Sequence, residues 1–131
     1  MMKLSDVRDY IASLGISEHV YMGKLDAKQD KSIGVYNSKH SHDYQTAIGG
    51  PALKSYGSKY VTFLVHWNKS PRDTEDAATR LFEMLETVCE KQVNNETIKF
   101  IQLLTNSPVD VGTDDAGVFE MVIETAVIYQ K

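Results

Sequence analysis

The strongest hydrophobic pattern lies in residues 59–91. The segment KYVTFLVHWN carries apolar or aromatic side chains on both of its alternating faces, which is typical of a central strand. In TEDAATRLFEMLETVCEK apolar residues recur every three or four positions, which predicts a long amphipathic helix. Ser70 suits the N-cap, Pro71 the first helical position and Asp73 an approximate capping box. We expect the core to include Val61, Phe63, Val65, Trp67, Leu81, Phe82 and Leu85, with Cys89 on the same buried stripe.

Shorter patterns precede this segment. Residues 4–14 predict a first helix, which Gly15 is well placed to end. Residues 18–25 and 32–37 predict two short strands, and the polar DAKQDK between them indicates a hairpin loop. Residues 38–58 are rich in Gly and Ser and predict a loop, and loops of that length inside compact domains are usually functional or mobile.

Three patterns follow the long helix. QVNNE indicates a polar turn, residues 97–104 a strand, and TNSPVDVGTDDAG a polar loop whose DDAG end has the composition of a hairpin turn. Residues 118–129 predict a last strand, with Phe119, Met121, Ile123, Val127 and Tyr129 on one face and Glu120, Val122, Glu124, Ala126 and Ile128 on the other. Since strands usually have about 5–6 residues, we expect the far end of this strand to project beyond the domain or to pair with a neighbouring molecule.

The order of the predicted elements defines the fold class. A helix, two strands, a long loop, a strand, a helix and two strands predict an α+β fold. We expect a mainly antiparallel sheet with a long helix packed on one face and a short N-terminal helix. The length of 131 residues predicts a single domain over residues 1–131.

Composition and charge exclude several classes of protein. The net charge is −4 and there is no basic tract, which argues against sequence-specific nucleic-acid binding because phosphate contacts need clustered Lys and Arg. No run of about 20 apolar residues and no signal-peptide pattern is present, so we expect no membrane association and a cytosolic location where the chain is made. Cys89 is the only cysteine, which rules out a disulfide within the chain.

No local motif predicts catalysis or a cofactor. His40, His42 and Asp43 supply too few ligands for a metal site, and solvated loop histidines are the favoured interpretation. Asp110, Asp114 and Asp115 depart from the EF-hand spacing, so side chains that cap a turn are expected instead of a calcium site.

The remaining chemical patterns are also weak. Gly49-Gly50-Pro51 with Lys54 lacks the spacing of a phosphate loop, and no nucleophile elbow places Ser, His and Asp together. Glu120 and Glu124 are interpreted as a charged face of the last strand that lines solvent or a lumen. We therefore expect a protein that is not an enzyme, with no cofactor.

Four segments in order resemble a known family. YMGKLDAKQDKSIGVYN, IGGPALKSY, VTFLVHWNKSPRDTEDAATRLFEML and PVDVGTDDAGVFEMVIETAVIY resemble small tailed-bacteriophage proteins known as minor capsid proteins, which are similar to tail terminators. The resemblance covers residues 21–129, and GVYN, IGG, LVHWN and PVDVGTDDAG are its most specific parts. It implies an α+β sandwich and brings no catalytic motif.

The resemblance implies a structural function at the head–tail junction of a phage or prophage. Such proteins stop tail-tube polymerisation, offer the surface that joins the head connector and form rings, commonly hexameric, around the DNA channel. The implied partners are other copies of the chain, the tail-tube protein and head connector proteins, and the implied location is the virion, with assembly in the host cytoplasm. Two alternatives stay open, a head-completion or connector protein on the head side and a metal- or ligand-binding protein that uses residues 38–58.

Apolar residues in the long loop and the last strand are the candidate subunit contacts. The long loop holds too many apolar residues for a purely solvated linker, so we expect it to cover a sheet edge or to dock on another chain. A ring contact is heterologous and requires two different surfaces on each subunit. The candidate interface residues are Tyr44, Leu53, Tyr56, Val127 and Tyr129.

Overall fold

A computed structural model describes residues 1–26, 28–39, 48–50 and 55–131. The described chain has two helices and seven strands, and all seven strands join one curled sheet. The elements, in chain order, are α1 (Leu4–Ser13), β1 (His19–Met22), β2 (Ser32–Asn37), β3 (Tyr56–His66), α2 (Pro71–Glu86), β4 (Cys89–Val93), β5 (Glu96–Leu103), β6 (Val109–Thr113) and β7 (Phe119–Gln130). The α+β class is confirmed.

The last strand, β7, is the centre of the sheet. The strand order is β1-β2-β3-β7-β5-β4, and β6 also pairs with β7. On one side of β7, β3 pairs antiparallel from the Tyr56–Gln130 pair to the His66–Glu120 pair. On the other side, β6 pairs with the first part of β7 and β5 with the second. The expectation that the end of this strand projects or pairs with a neighbour was therefore wrong, because strands of the same chain pair along its length.

The sheet is not antiparallel throughout. β1 pairs parallel with β2, from His19 opposite Ser32 to Met22 opposite Val35. The predicted hairpin between them was therefore wrong. The chain instead returns to the start of β2, where the Lys31 N–H donates to the Trp67 carbonyl. Alternation of apolar residues predicts a strand but carries no information on its direction, which explains the error.

The helix α2 begins as the sequence predicts but is shorter than expected. The Ser70 side chain accepts from the Asp73 N–H at 3.3 Å, and Pro71 is the first helical residue. The helix ends at Glu86 after 16 residues, with Thr87 as its C-cap, so the predicted long helix is not borne out. Cys89 lies in β4 and is exposed, which corrects its placement on the buried stripe. Val88 is buried in the core as the stripe predicts, whereas Cys89 departs from the stripe because it pairs with Phe100 of β5.

Two strands were not predicted. The first three residues of β4 fall in the predicted end of the long helix and its last two in the predicted polar turn, and β6 lies in the predicted polar loop. β4 has four exposed residues and one buried residue, and all five residues of β6 are exposed. β4 lacks the alternation of apolar and polar residues by which a half-buried strand is predicted. In β6, Val109 and Val111 do alternate with Asp110 and Gly112, but the surrounding segment is rich in Asn, Ser, Pro, Asp and Gly, which favours a loop. The turn predicted for QVNNE is confirmed at Asn94 and Asn95 only, where Asn94 adopts a positive φ of 53°, because β4 extends to Val93 and β5 begins at Glu96.

The core lies between one face of the sheet and the two helices. We call this side of the sheet the helix face. Its buried strand residues pack against the apolar stripe of α2, and burial of such a side chain contributes about 1.5–3 kcal/mol. The residues are Val61, Phe63, Val65, Ile98, Ile101, Ile123 and Val127 from the strands and Ala77, Ala78, Leu81, Phe82 and Leu85 from α2.

The N-terminal helix α1 connects distant parts of the sheet. It packs against β1, β2 and β4, which requires the sheet to curl around it. The Arg8 Nε donates to the Val20 carbonyl at 3.1 Å, and the Asn94 side chain donates to Asp6 and Asp9. The predicted end of this helix is confirmed, since Gly15 follows the C-cap Leu14 with a φ of 73°.

Candidate assembly surface

The second face of the sheet, which we call the outer face, is much less buried than the helix face. Along β3 and β7 the residues alternate between the two faces, because directly paired residues share a face. The outer-face residues combine aromatic, aliphatic, hydroxyl and carboxylate side chains, and most are half-buried or exposed. They are Tyr56, Ser58, Tyr60, Thr62, Leu64 and His66 on β3 and Glu120, Val122, Glu124, Ala126, Ile128 and Gln130 on β7.

A groove lies on the outer face where β3, β7 and β5 run side by side. Its volume is about 540 Å³, which is within the range of protein binding sites, about 300–1,000 Å³. Phe100 is 48% exposed and Tyr56 is 44% exposed. Exposed aromatic side chains are enriched in protein interfaces. The groove is lined by Ser55, Tyr56, Ser58, Tyr60, Lys99, Phe100, Gln102, Ala126 and Ile128.

An irregularity in β5 brings Phe100 into the groove. Ile98 pairs with Tyr129 on the helix face, whereas Phe100 pairs with Ile128 on the outer face. Strict alternation would place Ile98 and Phe100 on the same face, so the extra residue between them acts as a β-bulge. The non-alternating apolar residues Ile98, Phe100 and Ile101 are the sequence signal for this bulge.

Hydrogen bonds fix the middle of the outer face. The Thr62 hydroxyl donates to Glu124 at 2.8–2.9 Å, and the Ser38 hydroxyl donates to the same carboxylate at 3.1 Å. A carboxylate held by two hydroxyl groups is an ordered acceptor and not a freely solvated charge. Glu124 thus lies on the outer face, as the strand pattern indicates, and it also ties β7 to β3 and to the residue that follows β2.

His66 is the last residue of β3 and contacts both β7 and the turn between β6 and β7. Its side chain is buried, and its Nδ1 lies 3.0 Å from a Glu120 oxygen on β7. Its Nε2 lies 3.7 Å from a carboxylate oxygen of Asp114 and makes no hydrogen bond in the described chain. A neutral imidazole carries one N–H, so it can donate to only one of these two carboxylates.

The carboxylate of Asp114 also organises the turn between β6 and β7. Its Oδ1 accepts from the N–H groups of Val118 and Ala116, both at 2.9 Å. These bonds, first that from Val118, lower the pKa of Asp114 below its usual value, and the nearby His66 acts in the same direction. Asp110 similarly accepts from the Gly112 N–H at 2.9 Å. The turn-capping interpretation is confirmed for Asp114, whereas Asp110 lies within β6 and caps a backbone N–H at the irregularity between Asp110 and Gly112.

Metal binding finds no support in the described residues. Over residues 1–26, 28–39, 48–50 and 55–131, no three His, Cys, Asp or Glu side chains are grouped so that they could hold a metal ion. His40, His42, Asp43 and Lys54 lie outside the described residues.

The candidate interface residues fall into different environments. Tyr56 lies at the groove, whereas Tyr44 and Leu53 are outside the described residues. Val127 and Tyr129 lie on the helix face and are buried within the chain, so a neighbouring subunit could not reach their side chains without opening the core. We correct their placement to the core.

The predicted core residues are also placed by the structure. Six of them are buried, namely Val61, Phe63, Val65, Leu81, Phe82 and Leu85. Trp67 lies just after β3 and is half-buried against the core, because the strand ends at His66.

A second apolar feature stands outside the sheet. Ile48 is 98% exposed, more than any other large hydrophobic residue in the described part of the chain. Gly49 and Gly50 follow it with φ values of 97° and 104°, a conformation that glycine adopts far more readily than other residues. The IGG sequence therefore specifies a tight turn that presents an aliphatic side chain.

The chain matches a known protein family over almost all of its length. A family model described as bacteriophage tail terminator protein matches residues 4–131. A search of curated proteins found no match. Of the helices in the described chain, neither is long and apolar enough to cross a membrane.

Proposed function

The chain belongs to the bacteriophage tail terminator family, and we propose that it is a subunit of a ring that ends the tail tube and joins it to the head. The match over residues 4–131 carries this proposal, because it includes both helices and all the described strands. The groove, which contains Phe100 and Ile128, and the exposed Ile48 side chain give the subunit two different features for contact, and a ring contact needs two different surfaces.

The proposed subunit works by assembly and not by catalysis. Its partners are further copies of the chain, with a hexamer as the expected ring, the tail-tube protein and the head connector proteins. DNA passes through the ring without sequence-specific contacts, which suits the net charge of −4. The proposed location is the virion, with assembly in the host bacterial cytoplasm, and the whole chain acts as one domain.

Co-assembly with the tail-tube protein tests this function. The purified chain and the tube protein of the same phage are mixed over a range of concentrations, followed by light scattering and negative-stain microscopy. We expect rings of the chain, or tubes of limited length that carry a cap at one end. A chain that stays monomeric and neither binds nor shortens tubes would contradict the proposal. Binding to the head connector alone would assign the chain to the head side of the junction.

A further inference from the structure

The Ile48 turn has the properties of a docking element. An isoleucine that is 98% exposed gains nothing from burial in its own chain. The two glycines after it have positive φ values, so the turn that holds Ile48 outward is specified by the sequence. A Cβ added at Gly50 would meet no atom within 4 Å. Glycine is therefore favoured there because of the positive φ and not because of crowding.

The outer-face groove has the properties of a receptor for such an element. Ala126 and Ile128 of β7 line it together with the half-exposed ring of Phe100, which the β-bulge turns outward. These residues lie on strands that are paired on both sides, since β7 lies between β3 and β5, and β5 lies between β7 and β4. The groove is therefore a preformed surface on a rigid part of the sheet, in which the apolar side chains of Phe100, Ala126 and Ile128 lie among polar ones.

We infer that Ile48 of one subunit inserts into the Phe100–Ile128 groove of the next subunit in the ring. This inference rests on the proposed ring. A projecting apolar group and a separate groove with apolar residues on the same molecule make a heterologous contact, and such a contact repeats from copy to copy until the ring closes.

The chain connection supports this arrangement. Ser55 lines the groove, and Ile48 precedes it by seven residues, so the turn lies at most about 25 Å of extended chain from the groove of its own subunit. Its near-complete exposure means that it does not occupy that groove. The Ile48 side chain is therefore available for contact with a neighbouring copy.

Substitutions on both surfaces test the contact. We expect Ile48→Ser to weaken ring assembly at least ten-fold in midpoint concentration, because it removes the inserted side chain. Val111→Ser is the matched control, since Val111 is a 51% exposed aliphatic residue on β6 and does not line the groove. The control should assemble within two-fold of the wild type. Assembly of Ile48→Ser equal to that of the wild type would overturn the inference.

A variant that fills the groove provides a second test. Ser58 is exposed on β3 and lines the groove, so Ser58→Trp adds bulk there and removes no core side chain. We expect it to weaken assembly at least ten-fold while the unfolding midpoint stays near that of the wild type. The double variant with Ile48→Ser should lose little more than either single variant, because both remove the same contact. Losses that multiply would place the two residues in different contacts and overturn the inference.

Disulfide cross-linking tests the contact directly. In a Cys89→Ser background, Ile48→Cys is combined with Ser58→Cys, and assembled protein is oxidised. We expect a ladder of cross-linked oligomers up to the ring size. Cross-linking only within single chains, or none, overturns the inference while leaving the ring intact. A wild-type chain that never assembles, even with the tube protein, overturns both the inference and the proposed function.

Discussion

The two faces of the sheet differ in composition and in their contribution to stability and binding. The helix face is a continuous apolar core in which β3, β5 and β7 contribute valine, isoleucine and phenylalanine side chains against α2. The outer face of the same strands mixes an aromatic groove, a hydrogen-bonded Glu124 and the cluster around His66. The helix face therefore determines the stability of the fold, and the outer face is left to determine what the fold binds.

The largest expected effect comes from comparing two phenylalanines, one on each face of the sheet. Phe63 is fully buried on the helix face, and Phe100 is half-exposed on the outer face. Phe63→Ala should lower the free energy of unfolding by about 3–5 kcal/mol, because it leaves a cavity in the core. Phe100→Ala should lower it by less than about 1 kcal/mol. Urea denaturation of both variants measures this, and equal losses would remove the distinction between the faces.

His66 tests whether polar groups of the outer face also contribute to stability. His66→Ala removes a buried partner of Glu120 and should lower the free energy of unfolding by about 1–3 kcal/mol. The control is His19→Ala, since His19 is half-buried on β1 and its ring stacks on Tyr21 without a carboxylate contact in the described chain. Thermal or urea unfolding would compare the two, and a larger loss for His19→Ala would contradict the interpretation.

Gly57 tests how closely the end of β7 packs within its own chain. A Cβ at this position would overlap the side chain of Tyr129, which lies opposite it. Gly57→Ala should therefore lower the free energy of unfolding by about 1–3 kcal/mol through crowding. The neighbouring exposed variant Ser58→Ala should change it by no more than about 0.5 kcal/mol. A neutral Gly57→Ala would mean that the Tyr129 ring leaves its position easily and can be offered to a partner.

The smallest expected effect is on the pH dependence of stability. The folded pKa of Asp114 is lowered, so its contribution is present above the ordinary value of about 3.9 and is lost as the pH falls through the lowered value. Asp114→Asn can keep the same acceptor for the turn N–H groups, and it should reduce this loss. Burial opposes the shift in Asp6, but the hydrogen bond from Asn94 and other contacts lower its pKa as well, so part of the dependence will remain. Unfolding midpoints between pH 5 and pH 2 measure the effect, and an unchanged profile in Asp114→Asn would contradict it.

Local signals in the sequence predicted local structure well. Ser70 and Pro71 marked the start of α2, Gly15 followed the end of α1, and Asp114 capped its turn. These features depend on a few neighbouring residues, so the sequence contains what is needed to recognise them. The apolar residues of β3 likewise identified the central part of the helix face.

Long-range pairing could not be predicted in the same way. The parallel pairing of β1 with β2 and the full pairing of β7 depend on which strands meet, and alternation does not encode that. The errors at Val127 and Tyr129 followed directly, since both were interpreted as exposed on an overhanging strand and are buried on a fully paired one. The groove was missed for a related reason, because the bulge that exposes Phe100 breaks the alternation.

The mass of the assembled protein tests the central claim most directly. Native mass spectrometry of the wild type, with tail-tube protein present to promote assembly, should show a closed ring of defined subunit number. The outer-face variant Phe100→Ser should give mainly monomer at the same concentration, with an unfolding midpoint close to that of the wild type. If the wild type stays monomeric under all conditions, or if Phe100→Ser forms rings as readily, the outer face is not the assembly surface of this protein.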